Sequence, residues 1–320
     1  MSQAVFLDLG STSHADLDLS RLNTVCDTLE CWDHTSLLQR IEHIGKAEII
    51  ITNKVLIDAP ILEALQNQIK LICIAATGTN NVDLVTAKRL GIPVTNIRNY
   101  ASQSVAEHTF ALIFALRRQL IAYRQALQQG AWQASSHFCL LDYPMPPIAG
   151  STLAIVGYGT LGQAVAQLAQ QVGMQILLAE QPHATVRKGR VSFEQALAQA
   201  DVLSLHCPLN EQSRNLINAE RLQHMKPSAL LINTARGGIV DEVALVQALK
   251  QNWIGGAGID VLAKEPPDNN SPLLQVDLPN LIVTPHVAWA SQTARQTLIN
   301  QLADIIQSWQ QRRLLNQVNA

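Results

Sequence analysis

Short apolar runs alternate along the chain with stretches in which apolar residues recur every three or four positions. In the first hundred residues, four apolar runs predict β-strands: VFLDL (5–9), EIIIT (48–52), LICIAA (71–76) and IPVTNI (92–97). The spacing predicts helices at 36–47, 59–68 and 82–91, and Asp58 and Asp83 suit the starts of the last two. This alternation predicts a parallel sheet covered by helices on both faces.

The same alternation returns after residue 150. Six further apolar runs predict strands: TLAIVG, QILLAE, DVLSLHC, ALLINT, GGAGID and LIVTPH. Each of the first five leads towards a helical or loop segment. Six such strands are what a doubly wound, nucleotide-binding sheet requires.

The segments between and after these two sets indicate how the domains are arranged. A long helix is predicted from about residue 104 to 128, followed by a proline-rich break at 142–150. The helical segment 291–311 follows the last strand and is expected to return to the first domain. The sequence therefore predicts an α/β fold of two doubly wound parallel-sheet domains, one inserted in the other. The outer domain comprises 1–100 and 290–320, and the inner domain comprises 101–289.

Composition narrows the function classes. Hydrophobic residues make up 48% and charged residues 15% of the chain, with a net charge of −2, which is typical of a globular protein. Without basic clusters, neither nucleic acid nor an anionic membrane is an expected partner. No signal peptide and no transmembrane stretch is recognised. The five cysteines form no CxxC pair and no zinc-site spacing, so we expect reduced thiols, a cytoplasmic protein and no metal.

The stretch GYGTLG at 157–162 lies between a predicted buried strand and a helical pattern. In that setting Gly157 permits a tight turn, Gly159 permits close approach of the backbone to a phosphate, and Gly162 lets helix and strand pack. The helix N-terminus would supply N–H groups to the pyrophosphate of a dinucleotide. By itself the pattern is equally compatible with an ordinary tight turn.

Two later strand ends bear on which dinucleotide binds. Glu180 ends the next strand, 18 residues past the glycine loop, where a carboxylate can bind the ribose hydroxyls of NAD and repel the extra phosphate of NADP. Arg187 and Lys188 lie close in sequence and could instead assist a phosphate. NAD is therefore predicted over NADP. His206 precedes Cys207 and Pro208 at the end of the third strand of this domain and is expected to border the adenine pocket.

Three stretches after later strands carry chemistry: NTARGGIVDE (233–242), GIDVLAKEPP (258–267) and TPHVAWAS (284–291). Because ligands of open α/β sheets bind beyond the carboxyl ends of the strands, their polar residues are expected to converge. We assign His286 as the acid/base, Glu265 as the carboxylate that orients it, and Arg236 as the anchor for a substrate carboxylate. Taken singly, these residues could also be a surface arginine, a loop carboxylate and a turn histidine.

Two other features of the chain have a structural alternative. Glu107 and His108 lie in the long predicted helix, where adjacent side chains do not share a face, and we interpret them as structural. Trp289 could close the substrate pocket against longer side chains or could pack in the core, and the sequence does not decide between these.

At these motifs the sequence resembles the D-isomer-specific 2-hydroxyacid dehydrogenases over essentially the whole chain. Four stretches carry the resemblance by their order and spacing: GYGTLG, NTARGGIVDE, DVLAKEPP and TPHVAWAS. Within the family, the stretches at 52–55, 75–83 and 99–113 are most similar to the glycerate dehydrogenases, also called hydroxypyruvate reductases. The resemblance implies a Rossmann domain for NAD inserted in a flavodoxin-like substrate domain, and a homodimer that uses the long helix.

The resemblance also implies roles for individual residues. Arg236, Glu265 and His286 would be the catalytic set, with His286 also beside the cofactor. The cofactor would be held by Gly157, Gly159, Thr160, Leu161, Gly162, Glu180, Cys207, Pro208, Thr234, Ala235 and Asp260, the last through the nicotinamide carboxamide. The substrate would be bound by Asn53, Lys54, Thr77, Gly78, Thr79, Arg236 and Trp289, with the carboxylate on the backbone N–H groups of 77–79.

The expected activity is therefore NADH-dependent reduction of a small 2-oxo acid, with hydroxypyruvate as the first candidate and glyoxylate as the second. A D-lactate-type or broad 2-oxoacid reductase is the alternative within enzymes, because pocket walls rather than motifs select the substrate. A dinucleotide-sensing binding protein is the alternative of another class. The sequence departs from many relatives where Gln181 and Pro182 follow Glu180, which leaves NADP use open.

Overall fold

A computed structural model describes residues 2–320 and divides the chain into two compact units. Unit 1 comprises Met1–Ala101 and Ala290–Ala320, and unit 2 comprises Ser102–Trp289. Each unit is built on a sheet of parallel strands with helices packed against it, which confirms the predicted fold class. Within residues 2–320, no helix has the length and apolar character needed to cross a membrane.

Residues 2–320 form eleven β-strands and eleven α-helices. The strands are β1 (Gln3–Phe6), β2 (Thr28–Cys31), β3 (Ile49–Thr52), β4 (Leu71–Ile74), β5 (Val94–Asn96), β6 (Thr152–Val156), β7 (Gln175–Ala179), β8 (Val202–Leu205), β9 (Leu230–Asn233), β10 (Gly256–Ile259) and β11 (Leu281–Val283). The helices are α1 (Ser20–Val25), α2 (Arg40–Ile44), α3 (Ala59–Ala64), α4 (Leu84–Arg89), α5 (Ser102–Arg117), α6 (Leu120–Gln128), α7 (Thr160–Gln171), α8 (Phe193–Gln199), α9 (Ala219–Gln223), α10 (Glu242–Lys250) and α11 (Gln292–Gln310).

The sheet of unit 1 has the order β2-β1-β3-β4-β5, with every strand parallel to its neighbours. The first strand is therefore internal, and the chain adds strands on both sides of it, as in flavodoxin-like folds. Successive residues of a strand point to opposite faces. Val5, Ile50 and Ile72 accordingly join one apolar cluster, while α1 packs against α11 elsewhere in the unit.

The sheet of unit 2 has the order β11-β10-β9-β8-β6-β7, and all six predicted strands are present. The chain reverses its direction of strand addition between β6 and β8, which is where doubly wound sheets bind their ligands. Val191 makes an isolated parallel bridge to Ala179 beyond β7, at the edge of the sheet. This bridge stands where a further strand would extend the sheet.

Two apolar clusters cover the two faces of the second sheet. Ala154 and Leu203 belong to the cluster that contains residues of α8, α9 and α10, whereas Leu153 and Val202 belong to the cluster that contains residues of α5 and α7. Because neighbours along each strand fall into opposite clusters, the strands are buried on both sides. Their nearly continuous apolar sequences follow from this double burial.

The structure corrects one expectation from the sequence, adds two elements that were not predicted and confirms two helix starts. The long helix predicted over 104–128 is two helices, α5 and α6, separated at Gln119, whose φ is +55°. Neither α1 nor β2 was predicted, because α1 buries only Leu22 and β2 is a largely exposed edge strand with no apolar periodicity. The predicted N-caps are correct, since the side chains of Asp58 and Asp83 accept the N–H groups of Ile61 and Thr86.

The last residues of unit 1 protect the free edge of β5. Val318 donates its N–H to the carbonyl of Val94 at 2.9 Å. The buried side chain of Asn319 accepts the N–H of Val94 at 2.9 Å and donates to the carbonyl of Ile92 at 2.8 Å. The tail thus satisfies backbone groups that an edge strand would otherwise leave open.

Replacement of Asn319 by alanine should destabilise this edge by about 1–3 kcal/mol, because it leaves buried backbone groups without partners. Asn67→Ala, at an exposed asparagine of the same unit, is the matched control. Hydrogen exchange of the Val94 amide would measure the effect. Equal exchange in the two variants would contradict the role assigned to Asn319.

Candidate active site

The glycine loop lies at the carboxyl end of β6, against the segment that follows β8. Gly157 has a φ of +94°, and a Cβ there would lie 2.6 Å from the backbone carbon of His206. A Cβ on Gly162 would lie 2.2 Å from the carbonyl oxygen of Gly157. Both glycines are therefore required by the close approach of protein backbone, independently of any ligand.

Gly159 is a different case, because a Cβ there would meet no protein atom within 4 Å. The backbone N–H groups of Gly159, Thr160 and Leu161 find no acceptor among residues 2–320. They lie at the N-terminus of the twelve-residue helix α7, whose dipole favours an anion. The open space and the unpaired donors fit the pyrophosphate of a dinucleotide.

Glu180 follows β7, and its carboxylate is already bound by the protein. Arg187 forms a bidentate pair with it, at 2.6 Å from Nε to Oε2 and 2.7 Å from Nη2 to Oε1. This hydrogen-bonded guanidinium lowers the pKa of the Glu180 carboxyl to about 2. The side chain of Arg187 is 66% exposed, whereas that of Glu180 is 4% exposed. The arginine suspected from the sequence is thus a direct partner of Glu180.

The segment after β8 contributes His206, Cys207 and Pro208. Burial lowers the pKa of His206 to about 4, so its ring is neutral near pH 7. Its Nε2 lies 2.8 Å from the hydroxyl of Ser204, and its buried Nδ1 has no partner within residues 2–320. Burial also raises the pKa of the Cys207 thiol, which makes it a poor nucleophile. The segment is therefore uncharged near pH 7, which is compatible with the adenine pocket predicted here.

His286 and Glu265 are in direct contact. The Nδ1 of His286 lies 2.6 Å from Oε2 of Glu265, whose other oxygen accepts the N–H of Leu262 at 2.8 Å. Because a carboxylate only accepts, the proton of this hydrogen bond is on Nδ1. Nε2 of His286 has no partner within residues 2–320 and is left to exchange a proton with a ligand.

Arg236 lies on the loop after β9, which packs against the loop after β10. A Cβ on Gly237 would lie 1.7 Å from the carbonyl oxygen of Leu262, three residues before Glu265. The side chain of Asn233 shapes the turn by donating to the carbonyl of Arg236 at 3.0 Å. The guanidinium is exposed and bonds to the carbonyl of Ala235 at 2.7 Å. It forms no ion pair within residues 2–320.

Thr234 and Ala235, on the same loop, are buried. The hydroxyl of Thr234 lies 3.1 Å from that of Thr109 on α5. On the loop after β11, the indole N–H of Trp289 donates to the carbonyl of His286 at 3.0 Å. Trp289 is half-buried and packs back on the turn that carries His286.

Asp260 follows β10 and is completely buried, with its carboxylate turned to the loop after β11. It accepts the hydroxyl of Thr284 at 2.5 Å and the N–H groups of Val287 and Ala288 at 3.0 and 2.8 Å. The sequence assigned Asp260 only to a cofactor. Its contacts in the protein are with the loop that carries His286.

Unit 1 has a comparable carboxylate that the sequence reasoning missed. Asp8, two residues past β1, accepts the N–H groups of Asn53 at 2.8 Å and Lys54 at 2.6 Å. Burial raises the pKa of the Asp8 carboxyl, and these N–H groups offset part of that effect. Asn53 also donates from its side chain to the hydroxyl of Ser11 at 2.9 Å. The signal was an aspartate inside the apolar run VFLDL, where an acidic side chain needs partners.

Thr77, Gly78 and Thr79 follow β4 at the same edge of this sheet. The hydroxyl of Thr77 donates to the carbonyl of Ile97 at 2.9 Å, and Asn96 donates to the carbonyl of Thr77 at 2.8 Å. Within the described chain, no acceptor receives the backbone N–H groups of 77–79. The loop is held by its carbonyl and hydroxyl groups while its N–H groups are left available.

The six strands of the second sheet therefore deliver the predicted residues to one edge. Adjacent strands β9, β10 and β11 carry Arg236, Glu265 and His286, and only the last two touch each other. The glycine loop and Glu180 follow β6 and β7. The carboxyl ends of these strands thus provide a site of a kind that could bind a nucleotide, together with an acid/base pair.

Comparison with known proteins places this arrangement in a family. The sequence profile of the "D-isomer specific 2-hydroxyacid dehydrogenase, NAD binding domain" matches residues 110–288. A glycerate dehydrogenase of Methylorubrum extorquens is 46% identical over 307 residues, which is 96% of each chain. A hydroxypyruvate reductase of Blautia hydrogenotrophica is 34% identical over 92% of this chain and 93% of its own length.

A solved structure extends the similarity to both units. An acyclic imino acid reductase, in complex with NADPH and D-Arg, is 28% identical and superposes with a TM-score of 0.83 over 98% of this chain and 99% of its own. The sequence match, the sheet order and the strand-end residues agree. The chain belongs to the D-isomer specific 2-hydroxyacid dehydrogenase family of oxidoreductases.

Proposed function

We propose that this dehydrogenase is a glycerate dehydrogenase, which reduces hydroxypyruvate to D-glycerate with NADH. The observation that carries the proposal is the contact of His286 with Glu265 at 2.6 Å, on the sheet edge that also carries the glycine loop. The choice of hydroxypyruvate is supported by the similarity over 96% of the chain to a protein named glycerate dehydrogenase.

The residues divide the reaction between them. NADH, when bound at the glycine loop, supplies the hydride for the carbonyl carbon of the 2-oxo acid. His286 donates the Nε2 proton to the carbonyl oxygen, and the carboxylate of Glu265 stabilises the charged ring and fixes its orientation. Arg236 binds the substrate carboxylate through its forked donors and polarises the adjacent carbonyl.

In unit 1, we assign substrate binding to the two loops at the carboxyl edge of its sheet. The unpaired N–H groups of 77–79 suit the substrate carboxylate, since backbone donors of this kind bind anions. Asn53 and Lys54 border the same ligand, and Asp8 holds their backbone in place. In unit 2, we assign Trp289 to the wall that limits the length of the substrate side chain.

The first test is the initial rate of NADH oxidation with hydroxypyruvate, glyoxylate and pyruvate. Hydroxypyruvate should give the highest kcat/KM. His286→Gln should lower kcat roughly 10²–10⁴-fold, the usual contribution of a general acid, while NADH still binds. His224→Gln, at an exposed histidine of α9's C-terminal end, should leave the rate unchanged.

Each other outcome assigns a different function. Preference for glyoxylate or pyruvate would replace hydroxypyruvate but retain the chemistry, because several relatives of 32–35% identity are named glyoxylate reductases. Tight binding of NADH without turnover of any 2-oxo acid would indicate the dinucleotide-sensing protein instead.

The cofactor proposed is NAD(H), with NADP(H) used less well. Glu180 accepts the ribose hydroxyls of NAD, and Arg187, being mostly exposed, gives way to them. Arg187 is also the residue that would receive the extra phosphate of NADP, and a related structure contains NADPH. The pair therefore sets the preference by competition between its two members.

Substitutions of the two residues should have opposite effects on the ratio of kcat/KM for NADH to that for NADPH. Glu180→Gln should lower this ratio roughly 10-fold or more, because bonds to a charged acceptor contribute about 1.5–3 kcal/mol. Arg187→Ala should raise it by removing the phosphate partner. Steady-state rates with both cofactors measure the ratio, and a change of the same sign in both variants would refute the assignment.

We further propose a homodimer in the cytoplasm. Exposed large apolar side chains cluster on the segment 114–141, as interfaces require: Phe114, Leu120, Leu127, Trp132, Phe138 and Leu141. The five cysteines, all free in the described chain, agree with a reducing compartment.

The double substitution Phe138→Ser and Leu141→Ser should convert the dimer to a monomer, because it removes apolar area from the proposed interface. The measured mass should fall from twice the chain mass of 35.0 kDa to that mass. These side chains are 90% and 79% exposed. Light scattering after size-exclusion chromatography measures the mass. Leu38→Ser, at a leucine of unit 1 that is 97% exposed, is the control. An unchanged mass in the double variant would move the interface elsewhere.

A further inference from the structure

Helix α5 contacts both the loop that carries His286 and the loop that carries Arg236. Ser104 donates its hydroxyl to the carbonyl of Ala288 at 2.7 Å, and one turn later Nε2 of His108 lies 2.9 Å from the hydroxyl of Thr284. Thr109 reaches the loop of Arg236 through Thr234 at 3.1 Å. Residues four apart share a face of a helix, so Ser104 and His108 hold the His286 loop together.

Two hydrogen bonds connect His108 to Asp260 through the hydroxyl of Thr284, and the donor of each can be assigned. The Asp260 carboxylate accepts the hydroxyl proton of Thr284 at 2.5 Å, together with two backbone N–H groups. The hydroxyl oxygen of Thr284 is therefore turned towards His108 as an acceptor. Nε2 of His108 must be the donor, which fixes the tautomer of this ring.

These hydrogen bonds lead to the turn at His286, whose backbone conformation is held by bonds to Asp260. His286 has a φ of +56°, a left-handed conformation that is uncommon for residues other than glycine. Its N–H is bonded to the carbonyl of Asp260 at 2.7 Å, and the next two N–H groups are bonded to the Asp260 carboxylate. The turn is thus wrapped around one buried side chain.

Besides Asp260, ionisable side chains approach this turn from α5 and from the loop after β10. His108 approaches from α5, with Nε2 also 3.5 Å from Oδ1 of Asp260. Glu265 approaches from the loop after β10 and binds the ring of His286. If the carboxylate of Asp260 shifts, the turn shifts, and Nδ1 of His286 leaves the position at which Glu265 meets it.

We propose that His108 is a positioning residue for His286 that acts through Thr284 and Asp260. The sequence had suggested only a structural role for this histidine. The inference rests on the proposed dehydrogenase activity for its kinetic consequence, but the geometry it describes is present in the free protein.

The test compares His108→Leu, which removes the donor, with His108→Gln, which retains an N–H group near the Nε2 position. With hydroxypyruvate, His108→Leu should lower kcat roughly 10- to 100-fold, as misplacement of a reacting group does, with NADH affinity within twofold of the parent. His108→Gln should recover most of the rate. Glu107→Gln, on the exposed side of the same helix, is the matched control.

Two further measurements separate positioning from general damage. Thr284→Val should cause a similar loss, and the double variant with His108→Leu should lose no more than either single variant, because both break one chain. In the free protein, the low-field proton resonance of the His286 Nδ1–H bond to Glu265 should broaden in His108→Leu and persist in His108→Gln. His286→Gln identifies the resonance by removing it.

The outcomes are distinguishable. A parent-like kcat and resonance in His108→Leu would overturn the proposal. Equal loss in His108→Leu and His108→Gln, with loss of NADH affinity in both, would also overturn it in favour of a purely structural histidine. If the parent protein reduces no 2-oxo acid, the proposed function fails, yet the resonance still tests the positioning of His286.

Discussion

The direction of the parallel strands is the constraint on which the rest of the molecule depends. When all strands of a sheet run the same way, all their carboxyl ends lie at one edge, and each following loop starts there. Residues from the glycine loop to His286, about 130 positions apart in sequence, are brought to one edge without any direct contact between most of them. The chemistry available at this edge then depends on which side chains lie at the start of each loop.

A second device then fixes the loops themselves. In each unit, a buried aspartate near the carboxyl end of a strand accepts backbone N–H groups from a neighbouring loop: Asp8 from Asn53 and Lys54, and Asp260 from Val287 and Ala288. A carboxylate can accept several such bonds at once, and removing it would leave buried donors without partners. These aspartates fix the shapes of the loops to which we assign ligand binding.

The parts of the structure that could be predicted from sequence are those in which one physical signal dominates. The strands of unit 2 were recognisable because burial on both faces makes them continuously apolar. β2 was not, since an exposed edge strand such as Thr28–Cys31 carries no such signal. The break at Gln119 was equally invisible, because glutamine at positive φ has no sequence signature. Glu265 and His286 were singled out by their chemical type at strand ends, and the structure brings their side chains into contact. His108 and Asp8 act through other residues, so only coordinates reveal what they touch.

The same distinction applies to the cofactor pocket. The sequence places Glu180 at the end of a strand, but whether its oxygens are available depends on Arg187, seven residues later in an irregular segment. The pair combines a buried carboxylate with a largely exposed guanidinium. The carboxylate loses its solvent on one side and needs a donor at all times, whereas the arginine can return to water at little cost. At the cofactor site that we propose, this asymmetry would let ribose hydroxyls replace the arginine without moving the carboxylate. Glu180 would then be the fixed element of that site and Arg187 the exchangeable one.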